Sequence, residues 1–209
     1  IIYEKPKKPI DYLRIALFDN VNNTSIEPGN IYIVNSPTGA GKTLTLLNLA
    51  YKTCSISERK RNYIPKIIYA LPFISIGTQV AKEISKIMQK KFGAIDSLII
   101  CEDNYLAEDK WIQRRLDNEQ SNENLEDENI IRGIDARWLI SSWRSQFIVT
   151  TFVKIFNVLL KPKKPNIIRL HRLAHSVIIL DEIQCIPVKY WQIISNILSA
   201  CQKVLRCSI

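Results

Sequence analysis

The segment that most restricts what this chain can fold into is Ser36-Pro37-Thr38-Gly39-Ala40-Gly41-Lys42-Thr43. It stands between an apolar, β-branched run, Ile31 to Val34, and a run with apolar residues at helical spacing: Leu44, Leu46, Leu47, Leu49 and Ala50. That order predicts a buried strand, a glycine loop and a helix. Glycine at 39 and 41 lets backbone N–H groups close round an anion with no Cβ in the way. The helix start adds free N–H groups and the positive end of its dipole. In this setting Ser36, Pro37, Thr38, Gly39, Ala40, Gly41, Lys42 and Thr43 read as a loop that binds ATP. Lys42 would reach the β- and γ-phosphates, and the Thr43 hydroxyl would hold Mg²⁺. One position departs from the G-x-x-x-x-G-K-[ST] pattern, because Ser36 stands where the first glycine belongs.

A second segment completes this chemistry. Ser176 to Leu180 is wholly apolar after its serine and runs into Asp181, Glu182, Ile183 and Gln184. In a parallel α/β sheet ligands bind at the carboxyl ends of strands, where a phosphate loop also lies. Asp181 there suits a Mg²⁺ ligand, and Glu182 suits the base that orients and deprotonates the attacking water.

Between the two, strand and helix patterns alternate. Strands are expected at 31–34, 66–71, 97–101, 147–150 and 176–180. Helices are expected at 10–19, from the phosphate loop to about 59, at 75–93, 130–143, 151–160, 168–174 and 190–205. Trp138 and Trp143 are expected to be buried in the fourth of these. The alternation predicts an α/β fold with a mostly parallel sheet covered by helices on both faces. Residues 1–28 read as a linker and N-terminal helix, and 29–209 as the nucleotide-binding domain. An acidic insertion at about 102–129 includes a loop at 117–129.

Charge narrows the partner. The net charge is +9, yet residues 102–128 hold ten acidic and three basic side chains, which leaves the rest strongly basic. Such a body suits a polyanion such as nucleic acid. No apolar run reaches membrane-spanning length, and the start lacks a signal-peptide pattern. Five scattered cysteines, with no C-x-x-C pair, suit buried thiols in a reducing cytoplasm. A metal site from Cys185, His171 and His175 is the less economical reading, and unrelated core and surface residues the simpler one.

Three further segments carry a resemblance. Tyr69-Ala-Leu-Pro-Phe-Ile-Ser-Ile-Gly-Thr-Gln79, Val149-Thr-Thr-Phe-Val153, and Leu173 to Gln184 followed by Pro187 and Tyr190-Trp191 resemble the CRISPR-associated helicase-nuclease of type I systems. That is a superfamily 2 helicase of the DEAD/DExH kind. The resemblance runs from about residue 30 to 200. It implies a RecA-like P-loop ATPase that tracks on single-stranded DNA, using ATP and Mg²⁺. It further implies recruitment by an RNA-guided CRISPR surveillance complex and cutting by an HD-type nuclease domain or subunit. Carried over by position, Leu71, Pro72, Phe73, Ser75 and Gln79 contact nucleic acid, as do Thr150 and Thr151, and Gln184 couples hydrolysis to movement. Without the resemblance, the two threonines read as a helix N-cap.

The chain departs from the family's pattern in what it lacks. It has no His-Asp dipeptide and only two histidines, too few for the nuclease site. The resemblance places the family's next motif, an Ala-Thr pair, beyond Ile209, and the second RecA-like domain with its arginine finger beyond that. The expectation is therefore a first RecA-like motor domain, truncated at its C-terminal end. A restriction-type or other superfamily 2 translocase, and a nucleotide-binding module without motor activity, remain the alternatives.

Overall fold

The structure, a computed structural model, describes residues 8–92, 100–103, 142–161 and 163–209. Ile67-Ile68-Tyr69-Ala70-Leu71 forms β1, and all five residues are buried, as a strand covered on both faces must be. β2 is Ile100–Asp103, β3 Phe147–Thr151 and β4 Val177–Leu180. The sheet order is β2-β3-β1-β4, and every pairing is parallel. The register sets Leu71 beside Thr151 and Ala70 beside Leu180, so the strands finish at a common edge.

The period of two along each strand assigns the two cores. Ile67, Tyr69, Leu71, Phe147, Val149, Val177 and Ile179 face α2 (Lys42–Arg61) and α3 (Ile74–Phe92). Ile68, Ala70, Ile148 and Ile178 face α4 (Phe152–Leu160), α5 (Lys164–Leu173) and α6 (Trp191–Leu205). Helices thus cover both faces, as the alternation predicts. The basic run Arg59, Lys60 and Arg61 ends α2, where cations suit the negative end of the dipole. α1 (Pro9–Asn23) packs along α2. The Lys52 ammonium donates to Val21 O, Asn22 O and Thr24 O and so caps the carbonyl end of α1.

The structure corrects several expectations. Residues 31–34 are extended but form no regular strand, and Ile31 and Ile33 are 40% and 91% exposed. Tyr32 N donates to Ile209 O, and Ile209 N to Asn30 O. Ser208 in turn bridges to Val177 of β4. The strand expected at 97–101 is Ile100–Asp103 instead, with 97–99 outside the described residues. Glu102 and Asp103, the first residues of the acidic insertion expected at about 102–129, therefore belong to the sheet, and 104–129 lies outside the described residues. So do Trp138 and most of the helix expected at 130–143. Trp143 is fully buried, but it sits in a turn with φ 54°. α5 starts earlier than expected, with a proline in its first turn, where the missing N–H does no harm.

Four of the five cysteines are buried and Cys185 is exposed, so the expectation of buried thiols fails at that one. Burial pushes the thiols of Cys54, Cys101 and Cys201 up to about 12 and that of Cys207 up to about 11. The thiolate is the reactive form. Brief iodoacetamide treatment of the native protein should therefore give a single adduct, on Cys185, by peptide mass spectrometry. Equal labelling of Cys54 would contradict this packing.

Candidate active site

The two chemical segments meet at the carboxyl edge of the sheet. β4 ends at Leu180, and Asp181 N donates to Ala70 O at 3.1 Å, which fixes Asp181 beside the end of β1. Its side chain is 5% exposed and its two oxygens are both held. Oδ1 accepts from Glu182 N at 2.9 Å, and Oδ2 from the Tyr69 hydroxyl at 2.6 Å. Glu182 follows with φ 59°, a left-handed backbone that a side chain of this size adopts only where surroundings hold it. That turn brings Glu182 Oε1 to 3.7 Å from Lys42 Nζ. The Gln184 amide donates to Glu182 Oε2. Lys42, Glu182 and Gln184 thus form one connected group across 140 residues of chain.

The phosphate loop has the backbone its glycines imply. Gly39 and Gly41 lie at φ 77° and 82°, and α2 begins immediately after Gly41 with no side-chain cap. Its first N–H groups are therefore open to an anion. Ser36 Oγ is buried and has no hydrogen-bond partner. A buried hydroxyl left without a partner is unfavourable by about 1–3 kcal/mol, a debt that a phosphate oxygen would cancel. The glycine cradle, an ammonium, a hydroxyl at Thr43 and a buried carboxylate at Asp181 are the donor set that ATP with Mg²⁺ requires. Among the described residues no group of three His, Cys, Asp or Glu side chains could hold a metal alone. Any ion here would share its shell with a ligand, as Mg²⁺ on phosphates does. A cleft of about 370 Å³ opens beside Lys42, Asp181 and Glu182 and continues under Ile31, Leu46 and Trp191.

Tyr69 belongs to this site and sequence reasoning missed it. Its ring is fully buried in β1, and its hydroxyl touches both Asp181 and the Thr43 side chain. Burial, then the Asp181 carboxylate, pushes this phenol well above its ordinary range, while the Thr43 hydrogen bond acts the other way. The phenol therefore stays protonated and donates to Asp181. The available signal was one polar group in an apolar strand, since a buried tyrosine hydroxyl needs a partner.

The residues expected to touch nucleic acid share the neighbouring part of the same edge. Phe73 is 59% exposed, Gln79 is exposed and Pro72 half-buried, and Ser75 lies in the first turn of α3. Leu71 and Thr150 do not fit that role. Leu71 is fully buried in the core, and Thr150 is 2% exposed with its hydroxyl donating to Asp103 O at 3.0 Å. Both lie within the sheet layers, which helices cover on both faces. Thr151 Oγ1 accepts from Lys154 N at 3.3 Å and caps α4, as the plain reading of the pair has it.

The sequence model of the DEAD/DEAH box helicase family matches residues 21–208. The CRISPR-associated nuclease/helicase Cas3 of Haloferax volcanii is 29% identical over 163 residues. Those residues cover 78% of this chain and 16% of that protein, so the chain spans about a sixth of its relative's length.

Proposed function

We propose, on the premise that this chain belongs to the DEAD/DEAH box helicase family, that it is the first RecA-like motor domain of a DNA translocase in type I CRISPR interference. The observation that carries the reading is the junction of Lys42 with Asp181, Glu182 and Gln184 at one sheet edge. The similarity to a CRISPR-associated nuclease/helicase supports the setting. In this reading the track is single-stranded DNA, gripped through its phosphates and not its bases. Recruitment comes from an RNA-guided surveillance complex, the cut from an HD-type nuclease, and the arginine finger from a second RecA-like domain. No helix among the described residues is long and apolar enough to cross a membrane.

Each residue has a task in hydrolysis. The loop 36–43 wraps the phosphates with the backbone N–H groups of its residues other than Pro37, and Lys42 leaves Glu182 to meet them. Thr43 and Asp181 would hold Mg²⁺, which would neutralise phosphate charge. Tyr69 keeps Asp181 facing Thr43. Glu182, released from Lys42, holds the attacking water and takes its proton, while Gln184 fixes the carboxylate and senses its state. The Lys42–Glu182 pair is half-exposed and stabilises the fold little, so its exchange for phosphate is not opposed by stability.

Lys42→Ala tests the reading most directly. It should weaken ATP–Mg²⁺ binding about 10–100-fold, the worth of a charge-assisted bond to phosphate, with little change in melting temperature. Isothermal titration on the intact protein measures this. Unchanged affinity would remove the phosphate loop from the mechanism.

A further inference from the structure

We propose that Arg14, on the helix that precedes the phosphate loop, is a positioning residue for nucleotide binding: it turns the Gly39–Ala40 peptide so that the Ala40 N–H faces the phosphate. The proposal rests on the ATP-binding reading above. Arg14 donates twice to Gly39 O, from Nη2 at 3.1 Å and from Nε at 3.4 Å. Its remaining nitrogen, Nη1, donates to Asp11 Oδ1 at 3.2 Å. Asp11 also accepts from Lys8 N at 3.0 Å, so the guanidinium is anchored to the first turn of its own helix.

The two ends of a trans peptide unit point in opposite directions. Drawing the Gly39 carbonyl out towards α1 therefore turns the Ala40 N–H into the loop. There it now donates to Pro37 O at 3.3 Å, a long bond. A phosphate oxygen offers the same N–H a charge-assisted bond of roughly twice the strength. The guanidinium also polarises the peptide in the sense that favours an anion.

Space agrees with this. A Cβ on Gly39 would lie 3.5 Å from Ile10 Cδ1, and one on Gly41 3.7 Å from Arg14 Cγ. α1 therefore lies along the outer side of the loop. Its far end is held separately, by the three carbonyls that Lys52 collects. Docking of α1 and bracing of the loop can thus be varied independently.

The experiment is steady-state ATP hydrolysis by the intact protein with single-stranded DNA, paired with calorimetric binding of ADP–Mg²⁺. Arg14→Ala should raise the KM for ATP and the Kd for ADP about tenfold, with kcat held within about twofold, the signature of lost uniform binding. Arg14→Lys, which keeps one donor and the charge, should recover part of the affinity. Lys52→Ala, which loosens α1 but leaves Arg14, should lower the melting temperature and leave KM near its original value. An unchanged KM in Arg14→Ala would overturn the proposal. So would a fall in kcat and affinity that Lys52→Ala reproduces, because it would reduce Arg14 to helix packing. Failure of the unsubstituted protein to bind ADP or ATP would instead sink the ATP-binding reading itself.

Discussion

Glu182→Gln should lower kcat for ATP hydrolysis by about 10²–10⁴-fold, the range for a lost general base, and leave ATP bound. The substitution keeps the size of the side chain and its capacity to accept from Gln184, so the left-handed turn at 182 has the same packing around it. What it removes is the ability to take a proton from water. It also removes the ion pair with Lys42, which at 3.7 Å between half-exposed groups contributes little to stability and competes with phosphate for Lys42. Affinity for ATP should therefore hold or rise while turnover collapses. Single-turnover hydrolysis with equilibrium binding on the same preparation separates the two. Hydrolysis at the original rate would take Glu182 out of the role of base.

Asp103→Ala should destabilise the fold by about 3–5 kcal/mol, the loss typical of breaking a buried ion pair from one side. Asp103 is fully buried at the end of β2. Its Oδ2 accepts from Trp143 Nε1, Lys154 Nζ lies 3.2 Å from Oδ1, and Arg169 Nε lies 3.5 Å from Oδ2. Arg169 also sits over the Trp143 ring at 5.9 Å. Two of these contacts are ion pairs by distance but lack hydrogen-bond alignment, so charge more than geometry binds the cluster. Without the carboxylate, a 7%-exposed guanidinium is left in the interior with no counter-charge. Denaturant unfolding measures the loss, and Asp103→Asn, which can still accept from Trp143, should fall between. A loss below about 1 kcal/mol, the level of an exposed pair, would mean the cluster is not buried as described.

Much of the fold was legible because it is written in local pattern. β1, β3 and β4 are short apolar runs bounded by turn residues. α2, α4 and α6 repeat apolar side chains at helical spacing, and their observed limits lie close to the expected ones. Glycines at 39 and 41 announce a backbone that only glycine takes easily, and the structure has it. The first strand was misread for a physical reason: residues 31–34 have the composition of a buried strand, but burial depends on partners far along the chain. Here the backbone partner is Ile209, at the far end of the sequence, and Ile33 is 91% exposed.

Of the acidic insertion expected at about 102–129, Glu102 and Asp103 are described and lie in β2, and Asp103 is the most deeply enclosed charge in the described structure. Its counter-charges come from α4 and α5, more than fifty residues later. Leu71 and Thr150 were expected by resemblance to contact nucleic acid and are buried in a sheet covered on both faces, which a motif position does not encode.

From residues alone one could determine that a phosphate loop opens a helix, that two carboxylates end a buried strand, and that strands and helices alternate around a parallel sheet. Each of these depends on side chains close in sequence. Only the tertiary structure decided that Tyr69 ties Asp181 to Thr43, that Arg14 holds the loop from outside, and that Asp103 gathers two cations. Those groups meet because parallel strands bring distant segments to one edge, and no local periodicity records which side chains will face each other there.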